Sequence, residues 1–173
     1  MFIFNSLARM AAVLVALSTF TFNTSVFAAD IVMNISGIAT SGDEGSKLVD
    51  YEGWIELTNV NESIARESSG TAGTGRVRST AAFEDIKVSK LLDSTSPKIR
   101  ESLATGLNHE SVEIHILTIC EGRREPLFKF RLTNVNITSV AMSAAAGDTV
   151  PVEELTMTFE KIRWTYNVLN AVG

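Results

Sequence analysis

Apolar and polar residues alternate with a period of two through most of the chain beyond residue 30, the pattern of half-buried strands. Ile31-Val32-Met33-Asn34-Ile35 opens the series and ends at Gly37, and the polar, Gly-bearing stretch 40–46 predicts a turn. A second strand is expected over Tyr51 to Val60, with Ile55 and Leu57 on one face and Trp54 on the other. Residues 61–75 form the longest stretch without a large apolar cluster, so their tip is expected to be flexible or shaped by a partner. Arg76 to Lys90 resumes strand character, first in Val77-Arg78-Ser79 and later in Phe83, Ile86 and Val88. Val112 to Cys120 is the clearest strand, with Val112, Ile114, Ile116, Thr118 and Cys120 sharing a face. The charged turn Glu121 to Glu125 leads to its partner over Leu127 to Val140, and Pro151 precedes a last strand, Leu155 to Tyr166.

Three of these strands change phase. Phe83 to Ile86, Leu132 to Val135 and Phe159 to Ile162 each jump three positions where a flat strand would jump two. A one-residue slip is what a β-bulge produces, and strands that bend around a closed sheet must change which residues face inward. About eight short strands with such slips predict a small antiparallel β-barrel. One helix interrupts them. Ser94-Thr95-Ser96 before Pro97 predicts a capped helix start, and Ile99 and Leu103 give a single apolar stripe that stops at Gly106.

The first 28 residues differ from the rest. They hold one charge, Arg9, and five of the nine Phe, with the apolar run Met10 to Leu17. Val26 and Ala28 occupy the −3 and −1 positions of a signal-peptidase site, so residues 1–28 read as a secretory signal peptide. The run is too short to span a bilayer. Cleavage after Ala28 leaves residues 29–173 as one domain large enough for its own core.

Charge and composition narrow the chemistry. Lys and Arg total 15 against 20 Asp and Glu, a net charge of −5, which disfavours a nucleic-acid partner. A single Cys excludes an intrachain disulfide and a CxxC site. The two imidazoles, His109 and His115, lack metal-ligand spacing. His109 is expected in a turn, His115 as a structural or solvent-facing residue on the strand face opposite Cys120, and Cys120 as a small buried hydrophobe. The adjacent carboxylates Asp43-Glu44, Glu84-Asp85 and Glu153-Glu154 point to opposite faces if they lie on strands, so none is a ready acid/base pair. Gly70 to Gly75 lacks the Lys-Ser/Thr of a phosphate loop. No catalytic, metal or cofactor-binding residue is assigned.

Several blocks, in order, are similar to one known family. They are Ala29 to Ile35 with Gly37, Val49-Asp50-Tyr51-Glu52-Gly53-Trp54, and the Gly-rich loop ending Gly73-Thr74-Gly75-Arg76. The most specific runs from Phe83 to Pro97, where Val88-Ser89-Lys90 matches a "VTK" strand core and Asp93-Ser94-Thr95-Ser96-Pro97 matches the Asp-x-Ser/Thr-Ser/Thr-Pro that opens the helix. Leu132 to Ser139 and Pro151 to Tyr166 complete the match over about residues 29–166. The chain resembles the Hcp family, the tube protein of the bacterial type VI secretion system.

The resemblance implies a mainly β fold, a small two-sheet antiparallel β-barrel with one α-helix. It also implies homohexameric rings that stack into a hollow tube, with spike, sheath and effector proteins as further partners and no cofactor. By the same resemblance the long loop contacts a neighbouring ring or subunit, which makes Ser68, Ser69, Gly70, Thr71, Gly73, Thr74 and Gly75 the expected contact residues. Stable membrane insertion is not expected. Family members usually lack a cleavable leader, whereas residues 1–28 imply a secreted or periplasmic protein. An exported Hcp-like barrel acting as a binding module outside the tube is therefore the alternative, and a secreted hydrolase the third reading.

Overall fold

The computed structural model describes residues 29–39, 46, 48, 50–66, 81–147 and 149–169. Its elements are β1 (Ile31–Ile35), β2 (Ile55–Leu57), β3 (Asn59–Asn61), β4 (Ile64–Arg66), β5 (Ala81–Phe83), β6 (Ile86–Leu91), α1 (Ser96–Thr105), β7 (Asn108–Cys120), β8 (Arg123–Ser143) and β9 (Val152–Tyr166). Seven strands form one antiparallel sheet in the order β2-β1-β7-β8-β9-β6-β3, and β4 and β5 form a separate two-stranded ribbon.

The two edges of the seven-stranded sheet are successive pieces of one run, separated only by Thr58. The Thr58 amide donates to the Ser89 carbonyl at 2.8 Å. The sheet must therefore curl round until its last strand follows its first, which makes a nearly closed barrel and leaves few free edge groups. Met33, Ile55, Ile86, Val112, Ile114, Leu132, Val135, Leu155 and Met157 fill the interior with essentially no exposed surface. The helix covers it with Ile99, fully buried, and Leu103, half-buried. Gly106 ends α1 at φ +66°, in the left-handed region where a Cβ is strained.

Two of the three predicted phase slips lie side by side. Leu132 of β8 is opposite both Val112 and Ile162, and Val135 is opposite both His109 and Phe159. All three long strands thus change parity at one level, and the sheet folds along that line. Asn134 sits on it with φ +52° and donates its side-chain amide to Glu160 across the strand pair. Neither of these two slips is the bulge expected from the sequence, since the strand register is unbroken across both, and the register shifts lie instead between Ile116 and Leu117 and between Ile137 and Ser139. The third slip, Phe83 to Ile86, is not a bulge either. It is the break between two sheets, since Phe83 pairs with Ile64 in the ribbon and Ile86 with Met157 in the barrel.

Other expectations need correction. Tyr51 to Trp54 is not strand: with Asp50 and Gly53 at positive φ it turns back over the outer face of the barrel. There Tyr51 packs with Val32 and Leu117, which point away from the main core and would otherwise be wet. The turn after Cys120 is only Glu121-Gly122, both at positive φ, and Arg123 is already in β8. The helix starts at Ser96 with Thr95 in the cap position, yet neither hydroxyl caps. That of Thr95 donates to Asp93, and that of Ser96 donates to Glu153.

Candidate assembly surface

The ribbon stands outside the barrel. Its three residue pairs, Ile64–Phe83, Ala65–Ala82 and Arg66–Ala81, bound residues 67–80 on both sides. The expected contact residues Ser68, Ser69, Gly70, Thr71, Gly73, Thr74 and Gly75 lie outside the described residues, as does Val77-Arg78-Ser79. The loop expected from Asn61 begins instead as strand, because β3 runs to Asn61 and β4 occupies Ile64–Arg66.

Among the described residues, the contacts that root the ribbon centre on Trp164. The Phe83 ring stacks on Trp164 of β9 with centroids 6.1 Å apart and an interplanar angle of 24°. The Trp164 indole N–H donates to Glu62 Oε1 at 2.7 Å, and the Glu84 amide donates to the Ser63 carbonyl. Ile64 and Phe83 leave about half their surface in water, at 50% and 51% exposed. The alternation in the sequence gave Trp164 as a strand residue but no sign that it anchors the ribbon.

The residues considered for chemistry are dispersed. His109 is not in a turn: it is a buried residue of β7, held between Ser102 Oγ at 2.7 Å and the Ser36 carbonyl at 2.9 Å. It ties the helix to the chain after β1. His115 is buried under the Tyr51–Trp54 turn, with Nδ1 3.0 Å from the Tyr51 hydroxyl and its ring 4.8 Å from that of Trp54. Burial first, then Lys129, lowers the His115 pKa below the ordinary imidazole value, while Glu113 opposes them. Burial and the nearby Glu125 and Asp50 raise the Tyr51 phenol, so an uncharged imidazole meets an intact hydroxyl at neutral pH. Cys120 is half-buried rather than buried. Glu84 and Asp85 are exposed, and Asp43-Glu44 lies outside the described residues. Among the described residues no three His, Cys, Asp or Glu side chains gather as a metal site.

One charged group was missed by sequence reasoning. Glu153, paired opposite Lys90 on adjacent strands, has no exposed surface, and neither has Lys90. Lys90 Nζ donates to Glu153 at 3.2 Å, to Ser96 Oγ at 3.0 Å and to the Leu91 carbonyl at 2.7 Å. Arg100 pairs with the other Glu153 oxygen. Burial pushes the Glu153 carboxyl up, but its contacts with Ser96, Arg100 and Lys90 prevail and hold it below the usual carboxylate range. The cluster fastens the first turn of α1 to the barrel. It is an anchor: Glu153 Oε2 accepts from Lys90 and Ser96, while Oε1 has the Arg100 ion pair but no hydrogen bond of its own.

The comparisons with known proteins follow the fold. Solved structures align along most of the chain: a type six secretion system protein at 23% identity and TM-score 0.71, covering 80% of this chain and 84% of that one. Hcp1 from Salmonella typhimurium aligns at 20% identity and TM-score 0.65, covering 80% and 87%. The secreted protein Hcp3 from Pseudomonas aeruginosa aligns at 20% identity and TM-score 0.62, covering 82% and 92%. No curated protein matches in sequence. The model of the family described as type VI secretion system effector, Hcp, matches residues 32–166, from β1 to the end of β9. The chain belongs to this Hcp family of type VI secretion system proteins, which are structural, non-enzymatic tube proteins.

Proposed function

We propose that the chain forms homohexameric rings that stack into a hollow tube for passenger effectors, with residues 68–75 making the contact between rings. The observation that carries this reading is the ribbon: a two-stranded extension held outside an otherwise closed barrel, with Ile64 and Phe83 exposed. A closed barrel offers little free edge for self-association, so contacts must come from faces and extensions. The spike, sheath and effectors are the further partners that family membership suggests.

Size-exclusion chromatography with native mass spectrometry tests it. A six-copy species and its multiples are expected. Replacing residues 68–75 by a Gly/Ser segment of equal length should keep the six-copy ring and abolish the multiples. A strict monomer at micromolar concentration sinks the ring reading.

The N-terminal 28 residues favour a second reading, an exported barrel that serves as a periplasmic or extracellular binding module. The 19 apolar side chains and single charge of that stretch are a secretory leader in composition. Fractionation of tagged protein with N-terminal sequencing separates the two. A product beginning at Ala29 outside the cytoplasm supports export, and an intact Met1 in the cytoplasm removes it.

A further inference from the structure

The outer face of β8 and β9 carries a concentration of positive charge that neither the barrel nor the ribbon uses. Lys129, Arg131 and Thr133 face outward on β8, directly across from Thr165, Arg163 and Lys161 on β9. Arg131, Lys161 and Arg163 surround a hollow of about 590 Å³. Arg131 pairs with Glu113 at 3.2 Å and Lys161 approaches Glu160 at 3.5 Å, which leaves most of this cationic row facing solvent. The chain as a whole is acidic, at −5, so the row is a segregated charge rather than a sample of the average surface.

A complementary hollow of about 260 Å³ lies on the other side of the sheet's fold line. Among the described residues, Glu84, Asp85 and Glu154 line it, with Lys87 as the one cation. Glu154 and Lys161 are seven residues apart on β9, roughly 20 Å at strand rise. That exceeds the screening length of about 8–10 Å in physiological salt, so the two hollows do not neutralise one another within one copy. A ring of identical subunits needs a contact in which two different patches meet, since only such head-to-tail pairing propagates and closes.

We infer that the Arg131–Lys161–Arg163 hollow of one copy receives the Glu84–Asp85–Glu154 hollow of the next, and that this pair forms the contact within the ring. The inference rests on the ring reading above. Complementary charge at this contact fixes partner orientation and speeds association, while like charges placed across it repel.

Charge exchange tests it. Lys161→Glu with Arg163→Glu is expected to raise the protein concentration at half-assembly at least about tenfold, as should Glu84→Lys with Glu154→Lys. All four side chains are exposed, and unchanged circular dichroism and thermal midpoint of each variant will show intact folding. An equimolar mixture of the two variants is expected to restore six-copy rings with three copies of each by native mass spectrometry. Such restoration cannot come from a folding defect. Wild-type rings together with reversed variants that assemble unchanged overturn this inference alone. Loss of assembly in both variants without recovery in the mixture also overturns it. A wild-type chain that stays monomeric overturns the ring reading and this contact with it. If the reversed variants form rings but no longer retain an acidic polypeptide, the cationic hollow serves a passenger instead and the inference fails.

Discussion

Ile114, midway along β7, has no exposed surface, whereas Ile64 in the ribbon leaves half of its surface in water. Both are isoleucines in antiparallel strands, and each pairs with a Phe, Phe130 in the barrel and Phe83 in the ribbon. The difference is what lies behind the pair. Ile114 has strands on both sides and a core beneath, while Ile64 belongs to a ribbon of three residue pairs, and a lone two-stranded ribbon is marginal in water. Order in the barrel is global and cooperative. Order in the ribbon is local, held chiefly by Trp164, and belongs to the low-stability end of the molecule from which binding segments are drawn.

The strongest way to break this contrast is to attack the barrel at its buried charges. Glu153→Ala takes from Lys90 the carboxylate buried with it and leaves the ammonium dependent on Asp93, 2.9 Å away, so the expected cost in urea unfolding is about 3 kcal/mol, the low end for breaking a buried pair. Replacing both partners, Lys90→Met with Glu153→Leu, should recover much of that loss, because the desolvation cost of both charges disappears together. If the single and double variants are equally destabilised, the cluster is not an ion-pair anchor. The same carboxyl sets an acid limit. Its folded pKa lies below the unfolded value, so its contribution is complete above the unfolded value near 4.5 and is lost as pH falls through the folded one.

His115 gives a smaller effect in a different pH window. Its folded pKa is lowered, so the unfolded chain takes up the proton first. Stability is therefore full above the ordinary imidazole value of 6.5 and declines as pH falls from there toward the folded pKa. His115→Gln, which cannot titrate, should flatten urea stability below pH 6.5, with the whole barrel responding as one. A slope unchanged by the substitution would assign this window to other groups. Exchange protection in the ribbon should show no matching pH step, because among the described residues none of its contacts involves an imidazole.

How much of this contrast could be read from the residues depends on whether burial leaves a periodic trace. Ile31–Ile35 and α1 were legible almost to the residue, since apolar alternation and Pro97 with Gly106 mark them directly. The fold line was half legible. Leu132/Val135 and Phe159/Ile162 announce it, but in β7 the inward position is His109, whose polarity hides the same slip. Glu153 and Lys90 were invisible for the same reason: a buried ion pair reads as two solvated charges until the register sets them opposite each other. The Phe83–Ile86 irregularity was seen but misassigned, because a bulge and a change of sheet leave one and the same mark in sequence. Residues 68–75, the expected contact, are outside the described residues, so their role stands on family resemblance and on the ribbon that bounds them.

The smallest expected effect sharpens the comparison most. Phe83→Ala removes the ring stacked on Trp164, an aromatic contact of about 0.5–1.5 kcal/mol beyond its buried area. If ribbon and barrel are separate cooperative units, that loss falls on the ribbon alone. Amide exchange in Ile64–Arg66 and Ala81–Phe83 should accelerate by roughly three- to tenfold, as a local free-energy loss of that size implies. The global unfolding midpoint and exchange at Ile114 should stay near wild type, because Phe83 contributes nothing to the interior. Fluorescence should report the more exposed Trp164, with Trp54, part of the turn over His115, unchanged. A global loss approaching that of Glu153→Ala would mean that ribbon and barrel unfold as one, and the ribbon could then not reshape against a neighbour at low cost. Local loosening with an unchanged barrel is the behaviour required of a segment that acquires its final order only in contact with another copy.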